Sequence, residues 1–229
     1  AIETADGRRL ALIVNEFGEV GVDGTILRSC GIENCPEENI VELTNGCICC
    51  TVADDFIPTL EALLSHTPAP EHIIIETSGL ALPKPLVKAF EWPDIRNRVT
   101  VDGVVTVVDG PAVKAGRFVD DPEKVAAQRA ADPSVDHDTP PEEVHEEQHL
   151  CPALALLHKA DLLSDDDIKA LSDEIKRSVP RAIKIVAARD GQVPASVLLG
   201  LSAAAENDLA ARPSHHDNEA EHDHDDFET

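Results

Sequence analysis

Short β-branched apolar runs alternate along the chain with stretches whose apolar residues recur at helical spacing, and four of the runs end on polar or charged residues. Six runs read as strands: residues 10–14 ending at Asn15 and Glu16, 40–43, 72–75 ending at Glu76, 103–108 ending at Asp109, 153–157 ending at His158, and 182–187. Between them, residues 54–65 predict a helix with Phe56, Leu60, Leu63 and Leu64 on one face, and 85–92 a shorter helix. Ser164, followed by Asp165, Asp166 and Asp167, predicts an N-cap and acidic first turn for a helix reaching about Val179. A closing helix is expected over 196–210. Continuous apolar strands alternating with helices predict an α/β fold, a mostly parallel sheet flanked by helices. In such sheets the ligand crevice lies outside the carboxyl ends of the strands, where Glu16, Glu76, Asp109, His158 and Asp161 gather along this chain.

Composition narrows the function. Lys and Arg number 19 against 44 Asp and Glu, a formal net charge of −25, which argues against nucleic acid or an anionic membrane as partner and suits the handling of cations. No apolar run approaches the roughly 20 residues of a membrane helix and no signal peptide opens the chain, so a cytoplasmic location is expected. The acidity is concentrated. Residues 213–229 hold seven acids, four histidines and no Lys or Arg, and 132–149 hold seven acids and three histidines. The organisation expected is a folded unit over 1–212 and an acidic, His-rich disordered linker over 213–229, able to collect divalent ions weakly.

Three of six cysteines fall within four residues, in TNGCICC at 44–50. Thiolates are soft ligands for Zn(II), Co(II) and Cu(I), and three beside a glycine are hard to explain as packing. Cys47, Cys49 and Cys50 are therefore candidate metal ligands, with Glu16, in the NEFGEVG loop, a further oxygen donor. Cys30 and Cys35 could add ligands, form a redox pair, or be partly buried free thiols. The apolar run at 73–75 leads into Glu76-Thr77-Ser78-Gly79. There an acid at a strand end can hold Mg²⁺ and Gly79 lets the backbone approach a γ-phosphate. An incidental acid at a strand-to-turn transition explains the same residues. Lys159-Ala160-Asp161 matches the guanine-reading element Asn-Lys-x-Asp with His158 in the first position, although Lys-x-Asp alone also fits a charged turn.

Taken together, NEFG at 15–18, CICC at 47–50, ETSGLALP at 76–83, VVD at 107–109 and KAD at 159–161 resemble, in order, the CobW family of metal-handling P-loop GTPases, over roughly residues 8–210. Residues 30–39 and the His/Asp tail are most similar to the branch serving aerobic cobalamin biosynthesis. The resemblance implies GTP and Mg²⁺ as cofactors, Glu76 and Gly79 as catalytic residues, and His158, Lys159 and Asp161 as nucleotide-base residues. It implies Co(II), or Zn(II), as the metal, and delivery to a cobalt chelatase for insertion into the corrin ring. The chain departs from the family pattern in two ways. No G-x-x-x-x-G-K-[ST] occurs, none of the twelve glycines being followed by lysine, and His158 replaces Asn. With Ala1 first and no methionine, the chain is expected to be a piece lacking the first strand, the phosphate loop and a C-terminal domain, leaving a gap in the sheet and little GTPase activity of its own. Two rival readings remain, a non-enzymatic zinc-binding module and a thiol–disulfide oxidoreductase using Cys47 and Cys50.

Overall fold

The computed structural model describes residues 7–15, 37–43, 56–77, 83–117, 153–179 and 182–201. Six strands are present: β1 (Leu10–Asn15), β2 (Ile40–Leu43), β3 (His72–Glu76), β4 (Val105–Asp109), β5 (Leu154–His158) and β6 (Lys184–Ala187). They form two three-stranded sheets, ordered β2-β1-β3 and β4-β5-β6, and every pairing is parallel. The single sheet expected from the sequence is thus divided, among the described residues, between β3 and β4.

β1 is the middle of the first sheet, and its sequence says why. Leu10, Ala11, Leu12, Ile13 and Val14 are all buried, so the strand is apolar on both faces and needs cover from both sides. Ala11 and Ile13 face a core with Leu60, Leu63, Phe56 and Phe90, the last two rings meeting edge to face with centroids 5.7 Å apart. Leu10 and Leu12 face the other way, with Ile40, Ile74 and Leu199. Asn39, the one buried polar residue among those described, donates from Nδ2 to the Leu10 carbonyl and lies 2.9 Å from His66 Nδ1, which anchors the start of β2.

α1 (Ile57–Leu64) lies within the 54–65 expected, whose first two residues are outside the described residues, and carries Pro58 in its first turn, where no helical N–H is needed. Phe56, Leu60 and Leu63 are buried as the periodicity requires, and Leu64 packs half-buried beside them. α2 (Pro83–Lys88) runs into a 3-10 turn at Ala89–Glu91. After β4 comes a helix that the hydrophobic pattern did not announce, α3 (Gly110–Lys114), with Asp109 as its N-cap. α4 (Asp165–Ser178) begins on the expected Ser164, whose hydroxyl accepts from the Asp167 N–H while the Asp167 carboxylate accepts back from the Ser164 N–H. Such a capping box stabilises a helix start by about 1 kcal/mol. Leu171 and Ile175 turn inward onto Val108, Ala155 and Leu157.

The expected closing helix begins as α5 (Ala195–Leu198), and the rest of its predicted span lies outside the described residues. Val197 and Leu198 pack on the β4–β6 side, whereas Leu199 joins the β1–β2 cluster. The Gly200 N–H donates to Asp102, whose carboxylate is also 3.8 Å from His72 Nε2 at the start of β3. Residues 197–200 therefore contact both sheets.

Candidate functional site

Parallel pairing sends all strands of a sheet toward the same end, so the polar residues that close the strands are brought together by register. In the second sheet Asp109 sits opposite His158, with Val108 opposite Leu157 behind them. Immediately after β5, Lys159 takes a left-handed backbone conformation (φ 55°, ψ 34°), uncommon for a residue with a Cβ, and the chain turns into the 3-10 segment Ala160–Leu162. That turn is held by the strand beyond it. The Ala160 N–H donates to the Ala188 carbonyl at 3.0 Å, and the Ala188 N–H to the Leu157 carbonyl at 2.8 Å.

Three side chains are fixed at this end. Lys159 Nζ donates to Asp109 Oδ2 at 2.5 Å, and Asp109 Oδ1 accepts from the Ala112 N–H at 3.0 Å, so both carboxylate oxygens are engaged. Partial burial raises the Asp109 pKa, but the hydrogen bonds from Lys159 and the Ala112 N–H outweigh it and hold the group below the ordinary carboxylate value. Asp161 is exposed, and its Oδ1 accepts from the Asp190 N–H at 3.0 Å. That bond and one from its own N–H lower its pKa. Asp161 is thus an ionised, oriented acceptor open to solvent.

Asp190 and Gly191 form a two-residue turn after β6, with φ of 50° and 68°, closed by the Gln192 N–H on the Arg189 carbonyl at 2.9 Å. Asp-Gly suits such a turn because both central residues need positive φ. A Cβ built on Gly191 would lie 3.9 Å from His158 Nε2, which places the imidazole beside the turn. Gly110 permits the close approach of α3 to β5, since a Cβ there would fall 2.7 Å from Leu163 Cδ1 and 3.2 Å from the His158 carbonyl.

At the other sheet, Asn15, Leu43 and Glu76 close β1, β2 and β3 at one end, with Val14 opposite Glu76 and Asn15 opposite Leu43. Glu76 is exposed there. The chain leaves β1 toward Glu16 and β2 toward the cysteine loop from this same end. Glu16, Cys47, Cys49, Cys50 and Gly79 themselves lie outside the described residues. Among the described residues no group of three or more His, Cys, Asp or Glu is placed to hold a metal ion. The structure brings together His158, Lys159 and Asp161, and adds two features that the motif reading had not assigned, the Asp109 carboxylate and the Asp190–Gly191 turn. Both had a signal in the chain: an acid closing an apolar strand, and an Asp-Gly dipeptide.

The family model for the CobW/HypB/UreG nucleotide-binding domain matches residues 1–186. The chain belongs to this family. It is 54% identical over 232 residues to the zinc chaperone CobW of Sinorhizobium sp, covering all of this chain and 66% of that protein. It is 50% identical over 222 residues to the zinc chaperone CobW of Pseudomonas aeruginosa, covering 95% of this chain and 59% of that protein. The chain thus spans about three-fifths to two-thirds of the length of these relatives. Zn(II)-bound YjiA GTPase from E. coli superposes with a TM-score of 0.54 over 86% of this chain and 54% of that one, at 20% identity. That likeness shows the α/β, P-loop NTPase-like fold.

Proposed function

We propose that the chain is the nucleotide-binding part of a GTP-dependent metallochaperone, in which Asp161 and Lys159 read guanine and the cysteine loop carries the metal. The observation that carries the reading is Asp161: exposed, ionised, and oriented by the Asp190 N–H beside a Lys159 already fixed on Asp109. A carboxylate so held accepts from the guanine N1–H and 2-amino groups together, which adenine does not offer on one edge. The donor set fits the base, with His158 at the border of the site in place of Asn. Glu76, an exposed carboxylate at a strand end, fits a Mg²⁺ ion directly or through water, and Gly79, outside the described residues, would let the backbone approach a γ-phosphate. Mg²⁺ when bound neutralises phosphate charge; Glu76 contributes the oxygen that orients it.

The cargo in this reading is Zn(II), held by Cys47, Cys49 and Cys50 with Glu16. The names of two similar relatives support zinc, and thiolate donors commonly bind Zn(II) more tightly than Co(II). Transfer of Co(II) to a chelatase of corrin synthesis is the rival use of the same ligands. Zn(II) and Co(II) competition for the wild-type protein and its triple Cys→Ser variant separates the two. The His-rich segment over 213–229 serves as a weak collector of ions, and the protein works in the cytoplasm; among the described residues no helix is long and apolar enough to cross a membrane.

The base assignment is tested by Asp161→Asn in the full-length protein. Replacing one acceptor oxygen with an amide donor should abolish the preference for GTP and create one for XTP, whose 2-oxo group accepts. Equal GTP and ATP affinity in the unaltered protein refutes the assignment.

A further inference from the structure

We infer that Asp109 is a positioning residue of the nucleotide-base site, acting through Lys159 rather than touching the base. The inference rests on the guanine reading of Lys159 and Asp161 proposed above. Asp109 does two jobs with two oxygens. Oδ1 caps α3 at the Ala112 N–H, and Oδ2 holds the Lys159 ammonium. The first job does not require an acid, because Ser, Thr or Asn caps a helix as well. The second does, and it is not explained by stability. The Lys159 and Asp109 side chains are 44% and 28% exposed, and ion pairs between groups as solvated as this lysine contribute little to folding.

The pair makes sense as pre-organisation. Lysine has a long, rotamer-rich stem, and a ligand that must order it on arrival loses affinity by that cost. Lys159 leaves β5 in a left-handed conformation, which surrounding structure must enforce, and Asp109 fixes its far end. The stem is then laid out before a purine enters. Asp109 also gives the ammonium a partner other than Asp161, two residues on. Without it, Lys159 is free to pair with the Asp161 carboxylate that the base needs.

The test is a double-mutant cycle on the full-length protein, read by titration of a fluorescent GDP and by its displacement with ADP. Asp109→Ser keeps the cap and removes the ion pair; Lys159→Met removes the ammonium. Asp109→Ser should weaken GDP binding on the order of 10-fold, equivalent to about 1.4 kcal/mol, and lower the GDP-over-ADP preference. In the Lys159→Met background the same change should cost less than about 2-fold, the coupling expected of residues acting as one unit. The thermal midpoint should hold, since the cap is kept, and Asp109→Asn supplies a second cap-preserving variant if the serine form folds poorly. Equal losses in both backgrounds, or none in either, overturn the inference. Asp161→Asn runs alongside. If it removes the GDP preference while Asp109→Ser does nothing, only the role of Asp109 falls; if no guanine preference exists at all, the base site and this inference fall together.

Discussion

Gly110 offers a severe check on the packing around the proposed base site. It is the first residue of α3, buried, and adjacent to Asp109. In Gly110→Ala the new Cβ would meet Leu163 Cδ1 at 2.7 Å, the His158 carbonyl at 3.2 Å and Leu157 Cδ1 at 3.2 Å. Leu163 can rotate away, but the carbonyl is backbone, and Leu157 is buried with no exposed surface. Overpacking of this kind costs about 1–3 kcal/mol. Against it stands the helix preference of Ala over Gly, about 0.5–1 kcal/mol. The net expectation is a loss of up to about 2.5 kcal/mol, or a thermal midpoint lower by up to roughly 10 °C for a chain of this size. Gly116→Ala is the contrast. Its backbone has φ of 69° and nothing lies within 4 Å of the added Cβ, so its cost comes from conformation alone and should not reach the site. Gly110→Ala should also weaken GDP binding, because the atoms that must move adjoin His158 and Asp109. Chemical denaturation with fluorescent-nucleotide titration measures both effects. If Gly110→Ala is as stable as the parent and binds GDP equally, the contact between α3 and the end of β5 is wrongly described.

Two further outcomes are expected. Asp167, held to a pKa of about 2 by the Lys114 side chain first and then by the Ser164 hydroxyl and N–H, keeps its contribution above the ordinary carboxylate value of 3.8. That contribution is lost as pH falls through about 2, so amide exchange at the start of α4 should rise over that acid range, and Asp167→Asn should remove the step. Replacing Cys47, Cys49 and Cys50 by Ser should abolish the sulfur-to-metal charge-transfer band of the Co(II)-substituted protein; survival of that band would place the metal elsewhere.

The fold was legible because its strands are buried. Leu10 to Val14 and Leu154 to Leu157 are unbroken apolar runs, and only a covered parallel strand tolerates that. Ser164 and its three following acids announced α4 because capping is a local event, written in adjacent residues. What escaped reading was non-local. Asp109 and Lys159 lie 50 residues apart, and only the register between β4 and β5 brings them together. The division into two sheets was not written in any strand either, since pairing partners are chosen by the whole sheet. α3 was missed because five residues are too few for a periodic signal, its start being fixed by a single aspartate.

Topology also bears on how nucleotide and metal would communicate. β1, β2 and β3 run parallel, with Asn15 opposite Leu43 and Val14 opposite Glu76, so Glu76 and the exits toward Glu16 and the cysteine loop share one end of one sheet. Under the proposed function, a γ-phosphate and its Mg²⁺ at Glu76 act on the segment that also begins the metal loop. Coupling between two such sites is reciprocal: whatever factor Mg²⁺-GTP gives to metal affinity, the metal returns to Mg²⁺-GTP affinity. A switch that loads and releases cargo needs about 1–3 kcal/mol of coupling, roughly 5–150-fold. GDP lacks the γ-phosphate and so cannot supply that difference. The base end, built on β4, β5 and β6, is the same for both nucleotides. Under the proposed function the two sheets would divide the labour, one end reading the base and the other responding to the phosphates and to the metal.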